Sequence, residues 1–129
     1  MTIPSPTEVV RAWEEAVNAR NETRLLALSD PEIEIVGPRG SVRGHAVLTD
    51  WLGRAGLRFE TRRRFARGAE VVHEQVGRWH DLDTGAVVSE VPIASHYRVE
   101  GERVVYVARY DELSTALGRA GLEEGQGVG

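Results

Sequence analysis

The sequence predicts an α+β domain, with helices in its first half and a meander of antiparallel strands in its second half. Two observations support this prediction. Up to residue 55, apolar side chains recur mainly at steps of three and four, which is typical of amphipathic helices. From residue 57 to residue 110 they mostly alternate with polar side chains, which is typical of strands. Helices grouped ahead of a strand meander favour α+β over a parallel, doubly wound sheet.

The first half of the chain is predicted to form three helices and one strand. The first helix carries an apolar stripe, made of Val9, Val10, Trp13, Ala16 and Val17. We expect Ser5 or Thr7 to cap its start, because serine and threonine accept hydrogen bonds from the first free backbone N–H groups. The further elements are a second helix over 22–28, a strand over 32–36, a turn over 37–40 and a third helix over 45–55.

The second half is predicted to form four strands and a closing helix. The strands cover 57–65, 69–81, 86–99 and 103–110, and the closing helix covers 111–122. Asp83-Thr84-Gly85 is a typical hairpin turn between the second and third of these strands. Residues 123–129 are polar and rich in glycine, so we expect a flexible C-terminal tail.

Composition excludes several classes of protein. The chain has 129 residues, which fits one domain, and it has no cysteine, so disulfides and thiolate ligands are excluded. Its formal net charge of −4 argues against a nucleic-acid partner. No signal peptide or membrane-length apolar run is visible, so we expect a cytoplasmic protein with no membrane partner. No glycine-rich phosphate loop or helical histidine pair is present, so we expect neither cofactor nor metal.

Several short segments resemble one superfamily. These segments are the Val-rich first helix with Trp13, the stretches 29–35 and 37–40, the stretch 43–46, and the stretch 107–113. With the element order, they are similar to the nuclear transport factor two-like superfamily, and within it to SnoaL-like polyketide cyclases and ketosteroid isomerase-like domains. The resemblance covers nearly the whole chain. It implies that residues 1–122 form one SnoaL-like domain, in which a cone-shaped, curved antiparallel sheet wraps around the N-terminal helices as a cystatin-like roll.

The catalytic groups of two superfamily chemistries are not matched in this sequence. The general-base Asp of ketosteroid isomerases falls within 32–36, at an apolar place, and their oxyanion-binding Tyr falls near Trp13. The Asp-Arg-Asp set of limonene epoxide hydrolases falls near Gln75, Gly77 and Arg109. A slip of one residue would exchange the two faces of a strand and change this comparison. The resemblance therefore implies a small-molecule pocket without naming its reaction.

Alternation along the strands predicts which side chains line that pocket. On the third long strand the inward set is Val91, Ile93, Ser95, Tyr97 and Val99, and Glu90, His96 and Arg98 face outward. On the strand before it we place His73, Gln75, Gly77 and Trp79 inward; the alternative places Glu74, Arg78 and His80 there. On the last strand Val105, Val107 and Arg109 share the inner face, followed by Asp111. Trp13, Trp51 and Phe59 could complete the walls.

Three of these residues are candidate catalytic groups. His73 could exchange protons near neutral pH, or be a hydrogen-bonded histidine of the sheet. Arg109 could bind a carboxylate, phosphate or enolate, or form a salt bridge with Asp111 or a neighbouring acid. Asp111 could be a base, or the cap of the last helix. Ser95 and Tyr97 could donate hydrogen bonds to the ligand.

Two functions follow from these residues. The first is a cofactor-free enzyme that isomerises, cyclises, dehydrates or hydrolyses a small apolar molecule by proton transfer, with His73 as acid or base. The second is a non-catalytic ligand-binding or assembly module. In either case we expect a homodimer through the outer face of the sheet, because that face carries a partly apolar set, made of Val72, Val76, Val104 and Tyr106.

Overall fold

The N-terminal helices begin at well-defined caps. In the computed structural model, which describes residues 4–37 and 39–128, helix α1 spans Pro6–Asn18 and α2 spans Glu22–Ala27. The Ser5 hydroxyl accepts from the backbone N–H of Glu8, and the Glu8 carboxylate accepts from the backbone N–H of Ser5. This capping box confirms Ser5, rather than Thr7, as the residue that caps α1.

The remaining elements form one sheet and two further helices. Their bounds are β1 Ser29–Gly37, β2 Gly40–Arg43, α3 His45–Ala55, β3 Leu57–Arg67, β4 Glu70–His80, β5 Val87–Glu100, β6 Arg103–Tyr110, α4 Leu113–Ala120 and β7 Gly127–Val128. The sheet order is β2-β1-β6-β5-β4-β3-β7. Strand β1 runs parallel to β6, and the other neighbouring strands in this order are antiparallel to each other. The predicted α+β class, a curved sheet with helices against it, is confirmed.

Two strands were missed by the sequence prediction. The predicted turn over 37–40 is the tip of a hairpin, since β2 follows at once and pairs with β1; Pro38 of that turn lies outside the described residues. The C-terminal segment also contains secondary structure. Residues 124–126 form a 3₁₀ turn, and β7 then pairs with the edge of β3. The tail is placed there because Leu122 is buried and Gln126 hydrogen-bonds back to the N–H of Glu123.

The inner face of the sheet forms the main core with α1, α2 and α3. Val9, Val10, Trp13 and Val17 of α1 are buried against this face, as the apolar stripe predicted. On β5, Ile93, Ser95, Tyr97 and Val99 are buried, whereas Val91 is 39% exposed. Val91 is in continuous register with Ile93 and so shares the predicted inner face, but it is not buried and does not line the pocket. It lies in the half of β5 that pairs only with β4.

The outer face carries a second, smaller core beneath α4. Val72 and Ala94 pack there with Phe65 and with apolar residues of α4. His96 faces outward as predicted, yet it is buried beside Tyr106 and Glu70. Val72 was therefore wrongly predicted to belong to an exposed apolar patch on the outer face, because residues of the same chain cover it.

Val104 was also assigned to the wrong face. The register between β5 and β6 shifts between Arg98 and Val99, so that Val99 lies opposite Val104 and Val105 is left over. Because one extra residue reverses the faces of a strand, Val104 points into the main core and is fully buried. Val105 lines a shallow polar cleft with the outward-facing Arg98 instead of the inner wall.

The last helix is shorter than predicted and is not capped by Asp111. It begins at Leu113, its cap position is Glu112, and no side chain makes the capping hydrogen bond. Asp111 is exposed before it. None of the helices in the described residues is both long and apolar enough to cross a membrane.

Candidate functional site

A mostly apolar cavity of about 230 Å³ lies between α1, α3 and the inner face of the sheet. It is lined by Trp13, Ile35, Val36, Gly37, Leu48, Trp51, Leu57, Phe59, Ser95, Val107 and Arg109. Every element that contributes to the main core except β4 and α2 supplies at least one of these residues. The site is therefore fixed by the packing of the whole domain rather than by one loop.

Stacked indole rings form one wall. Trp13 of α1 and Trp51 of α3 lie with ring centroids 6.5 Å apart and planes 20° from parallel. The Trp13 ring is held in place because its Nε1–H donates to the Ser29 hydroxyl at 2.9 Å, and that hydroxyl donates to the carbonyl of Leu25. A buried indole with its N–H satisfied is a rigid apolar surface.

The C-terminal end of α1 is hydrogen-bonded to the start of β3. The side chain of Asn18 donates to the carbonyl of Phe59 at 3.0 Å and accepts from the N–H of Phe59 at 2.8 Å. This paired hydrogen bond joins a helix end to a strand backbone. It places the Phe59 ring on the pocket wall.

Two polar side chains reach the pocket, Ser95 on β5 and Arg109 on β6. They are directly opposite each other in the register of the two strands, so both point inward. Ser95 is buried, whereas Arg109 is exposed and its guanidinium carbon lies 5.2 Å from the ring centroid of Trp79. The stacking holds a positive charge at the open end of the pocket.

A more open cleft adjoins this end. It shares Val36, Gly37 and Arg109 with the pocket, and it adds carboxylates from Asp111 and Glu112. Positive and negative side chains are therefore close to the entrance. The described contacts include no ion pair between Arg109 and Asp111.

A buried hydrogen-bond network lies behind the wall, centred on Glu14 of α1. One carboxylate oxygen accepts from Nδ1 of His73 at 2.9 Å and from the Thr61 hydroxyl at 3.0 Å. The other accepts from the Tyr97 hydroxyl at 2.6 Å and from the Gln75 amide. Four donors compensate this carboxylate for the loss of water, as the burial of a charged group requires.

The network ends at Ser95. The Gln75 amide nitrogen faces Glu14 and Thr61, and its oxygen accepts from the Ser95 hydroxyl at 2.8 Å. Burial raises the pKa of Tyr97 well above its ordinary value, and the nearby Glu14 carboxylate raises it further. Tyr97 is therefore a neutral hydrogen-bond donor at physiological pH.

His73 is fully buried within this network. Its Nδ1–H donates to Glu14, and its Nε2 has no hydrogen-bond partner among the described residues. The ring lies edge-on to Tyr97, with centroids 5.8 Å apart. His73 does not belong to the pocket lining, so a ligand in the pocket does not meet it directly.

The predicted site residues thus fall into three groups. Those on the pocket wall are Trp13, Trp51, Phe59, Ser95, Val107 and Arg109. Those in the network behind it are His73, Gln75 and Tyr97. Those at its margin are Asp111 in the adjoining cleft, Trp79 beneath Arg109, and Ile93, which packs against Gly77.

Sequence reasoning missed Glu14, the centre of the network. One signal was available in the sequence, because Glu14 lies within the apolar stripe of α1, between Trp13 and Val17; in the structure it is only 5% exposed. A carboxylate in such a stripe indicates buried hydrogen-bond donors on the facing strands. Alternation with Phe59 could also have found Leu57 and Thr61. The other missed residues of the pocket lining are Ile35, Val36, Gly37 and Leu48.

No group of three or more histidine or carboxylate side chains in the described residues could hold a metal ion. The chemistry available at the site is hydrogen bonding by Ser95, anion binding by Arg109, and proton transfer by the carboxylates of the adjoining cleft.

Comparison with solved structures finds the same fold in several proteins. A nuclear transport factor two-like protein of unknown function from Cytophaga hutchinsonii superposes with a TM-score of 0.73 at 14% identity, over 89% of this chain and 96% of that one. TerC, co-crystallised with polyporic acid, gives a TM-score of 0.71 at 18% identity, over 90% and 98%. A protein with a ketosteroid isomerase-like fold from Catenulispora acidiphila, in complex with trimethylamine, gives 0.68 at 25%, over 95% and 96%.

Sequence comparison gives one family. No curated protein sequence matches the chain significantly. The model of the SnoaL-like domain matches residues 10–107, a range that includes most of α1, all the strands from β1 to β5, and part of β6. Since this range covers most of the chain, the protein belongs to the SnoaL-like domain family.

Proposed function

We propose that the pocket binds one small, largely apolar molecule whose anionic or strongly polarised oxygen lies against Arg109. One observation supports this proposal above all: among the described residues that line the pocket, Arg109 alone carries a charge. Its guanidinium presents parallel N–H donors that match a carboxylate, phosphate or enolate.

The size and lining of the pocket restrict the molecule further. Pockets for drug-sized ligands have volumes of about 300–1,000 Å³, and this one is smaller, at about 230 Å³. The stacked Trp13 and Trp51 rings offer a flat apolar surface, which suits an aromatic or cyclic carbon frame. Small molecules are also present in related crystals, since TerC was co-crystallised with polyporic acid.

Binding of simple carboxylates tests the proposal. Benzoate, phenylacetate and 3-phenylpropanoate would be titrated against the protein, each beside its methyl ester, with tryptophan fluorescence and calorimetry as readouts. We expect at least one acid to bind more tightly than its ester. In Arg109→Gln this preference should fall by about tenfold or more, because a charge-assisted hydrogen bond is lost.

Two further variants locate the binding. Val107→Phe fills the pocket and should abolish binding, whereas Arg103→Gln removes an exposed arginine of the same strand that is not in the pocket lining and should leave it unchanged. Binding that survives Val107→Phe, or an acid preference that survives Arg109→Gln, would contradict the proposal.

A second candidate function is proton transfer on the bound molecule, by a cofactor-free isomerase, cyclase or hydrolase. The specific observation in its favour is that Asp111 lines the cleft that shares Arg109 with the pocket. In this scheme the Asp111 carboxylate removes a proton from the carbon next to a carbonyl. The electron pair moves to the carbonyl oxygen, where Arg109 stabilises the enolate, and the proton is returned to carbon. His73 would act only indirectly, through Glu14 and Gln75.

Hydrogen exchange tests this scheme without knowledge of the substrate. Enolisable aryl ketones and keto acids would be incubated with the protein in D₂O, and loss of the α-proton signal followed by NMR. We expect exchange to be accelerated by the protein and lost in Asp111→Asn, but retained in Asp83→Asn, a change in the exposed hairpin turn. Exchange no faster than in buffer would leave ligand binding as the function.

We also propose a homodimer. The outer patch expected from the sequence is reduced by the burial of Val72 and Val104, but Val87, Val88 and Val91 leave apolar surface on the uncovered half of β5. Light scattering of the wild type and of Val88→Arg would test it. A monomeric wild type at micromolar concentration would contradict the proposal.

A further inference from the structure

Ser95 is the single residue shared by the pocket lining and the Glu14 network among the described residues. It lines the cavity, and its hydroxyl is also hydrogen-bonded to Gln75 at 2.8 Å. The direction of the Ser95 hydroxyl hydrogen is therefore set by the network, and it decides whether Ser95 offers a ligand a donor or an acceptor.

The orientation of the Gln75 amide is fixed by Glu14. A carboxylate only accepts hydrogen bonds, so the NH₂ end of Gln75 must face it. The reversed amide would set its oxygen against the Glu14 oxygen, with no hydrogen between two acceptors. The amide oxygen of Gln75 consequently faces Ser95.

A carbonyl oxygen cannot donate, so the hydrogen between these residues belongs to Ser95. The other network group beside Ser95 is the Tyr97 hydroxyl, and that hydroxyl donates its own hydrogen to Glu14 at 2.6 Å. Both neighbours of Ser95 in the network are thus acceptors towards it. Its hydroxyl hydrogen points away from the pocket in either case.

We infer that Ser95 presents only acceptor lone pairs to the pocket, and that it therefore selects ligands with a hydroxyl or amine hydrogen at this point. This inference rests on the proposed function, because it describes a ligand of the same pocket. Arg109, the cross-strand partner of Ser95, has the opposite requirement, since a guanidinium only donates.

The two residues together define a ligand class. The matching molecule carries an acceptor, preferably anionic, for Arg109 and a donor for Ser95, on a small cyclic carbon frame. Phenolic and hydroxylated carboxylic acids have this arrangement. Their O-methyl ethers do not, because the ether oxygen would face the lone pairs of Ser95 with no hydrogen between them.

Matched probe pairs test the inference. The probes are 4-hydroxybenzoate, 3-hydroxybenzoate and 4-hydroxyphenylacetate, each compared with its methoxy and methyl counterparts by calorimetry. We expect at least one hydroxy acid to bind the wild type at least about fivefold more tightly than its methoxy ether. In Ser95→Ala that ratio should fall to about one, whereas Ser89→Ala, an exposed serine of the same strand, should keep it.

A ligand-free measurement distinguishes this inference from the proposed function. In a neutron structure of the free protein with exchangeable hydrogens replaced by deuterium, the Ser95 deuterium should lie towards Gln75 or Tyr97. A deuterium directed into the pocket, equal affinities for the hydroxy and methoxy acids, or a ratio unchanged in Ser95→Ala would each overturn the inference. If no carboxylate binds at all, the proposed function fails, while the neutron map still decides which polarity Ser95 presents.

Discussion

Tyr97 donates a hydrogen bond of 2.6 Å to the Glu14 carboxylate, although the two residues are 83 positions apart in the chain. The bond joins the first helix to the centre of the sheet and lies in the fully buried part of the domain. Glu14 thus contributes to the fold through directional bonds as well as through packing. Its carboxylate is the common acceptor for donors from three strands, β3, β4 and β5.

Glu14→Gln should lower the free energy of unfolding by about 2 kcal/mol. The side chain keeps its size, but one of its two oxygens becomes an NH₂ group. Whichever way the amide turns, that group faces two side chains that donate to Glu14 in the wild type, either His73 and Thr61 or Gln75 and Tyr97, so these must reorient or lose their hydrogen bond. Urea unfolding at neutral pH measures the loss.

The neighbouring Glu15→Gln is the matched control. Glu15 is exposed on the same helix, so its variant should remain within about 0.5 kcal/mol of the wild type. Equal stability of the two variants would mean that the network accommodates an amide in place of the Glu14 carboxylate without net loss.

Tyr97→Phe should change how stability depends on alkaline pH. Burial, with the Glu14 carboxylate beside it, holds the pKa of Tyr97 well above its unfolded value of about 10. The folded protein therefore keeps a proton that the unfolded chain releases, so this contribution is fully present below pH 10 and is lost as the pH rises above it. Tyr97 should contribute a loss of up to about 1.4 kcal/mol per pH unit.

The composition makes this experiment clear to interpret. The chain has three tyrosines and no lysine, so few side chains titrate near pH 10. Tyr106 contributes in the same direction, because burial raises its pKa to about 12. Urea unfolding at pH 9, 10 and 11 should give a shallower decline for Tyr97→Phe than for the wild type, and parallel declines would show that Tyr97 ionises normally in the folded state.

Periodicity predicted most of the fold because most side chains obey it. Helix α3 and strand β6 have the predicted bounds, and inward residues of β4 such as His73 and Gln75 do face α1. The prediction failed where the existence or the facing of a strand depends on the strand that pairs with it. Strands β2 and β7 are short and pair with edges, and the shift at Val99 reverses the face of Val104.

The candidate site was harder to predict than the fold. Alternation placed Ser95 and Arg109 on one face correctly, but it could not tell the pocket wall from the layer behind it. That distinction depends on where α1 crosses the sheet. Glu14, rather than a ligand, occupies the space in front of His73, Gln75 and Tyr97, and this contact is set by tertiary packing.

His96→Gln should reduce the loss of stability in mild acid. Burial lowers the pKa of His96, although the Glu70 carboxylate at 2.8 Å opposes this. The unfolded chain therefore takes up a proton at about pH 6.5, where the folded protein does not. The contribution is present above pH 6.5 and is lost as the pH falls through the folded pKa, with a slope of up to about 1.4 kcal/mol per unit.

Unfolding by urea at pH 7.5, 6.5 and 5.5 measures this slope. Glutamine keeps a donor for Glu70 but does not titrate, so the curve of the variant should be flatter. His80→Gln, on a partly exposed histidine that contacts the carbonyl of Gly85, is the control and should follow the wild type. A wild-type slope in His96→Gln would assign the acid sensitivity to other groups.

Gly56→Ala should be the most damaging of the small substitutions around the pocket. Gly56 ends α3 with φ +55°, a conformation that costs an alanine about 1–2 kcal/mol. In addition, its new Cβ would overlap the carbonyl oxygen of His80, which is backbone and cannot rotate away. We expect the free energy of unfolding to fall by more than about 2 kcal/mol in total.

Gly85→Ala is the control that separates the cost of the left-handed backbone conformation from the cost of steric overlap. Gly85 has φ +75°, and a Cβ added there would meet no atom within 4 Å, so its variant should lose only the conformational part, about 1–2 kcal/mol. Gly56 also joins Trp51 of α3 to Leu57 of β3, both on the pocket wall, so Gly56→Ala should weaken binding of the carboxylate probes whereas Gly85→Ala should not. Equal losses in the two variants would mean that the chain between α3 and β3 shifts freely, and that the pocket is not held in place by this junction.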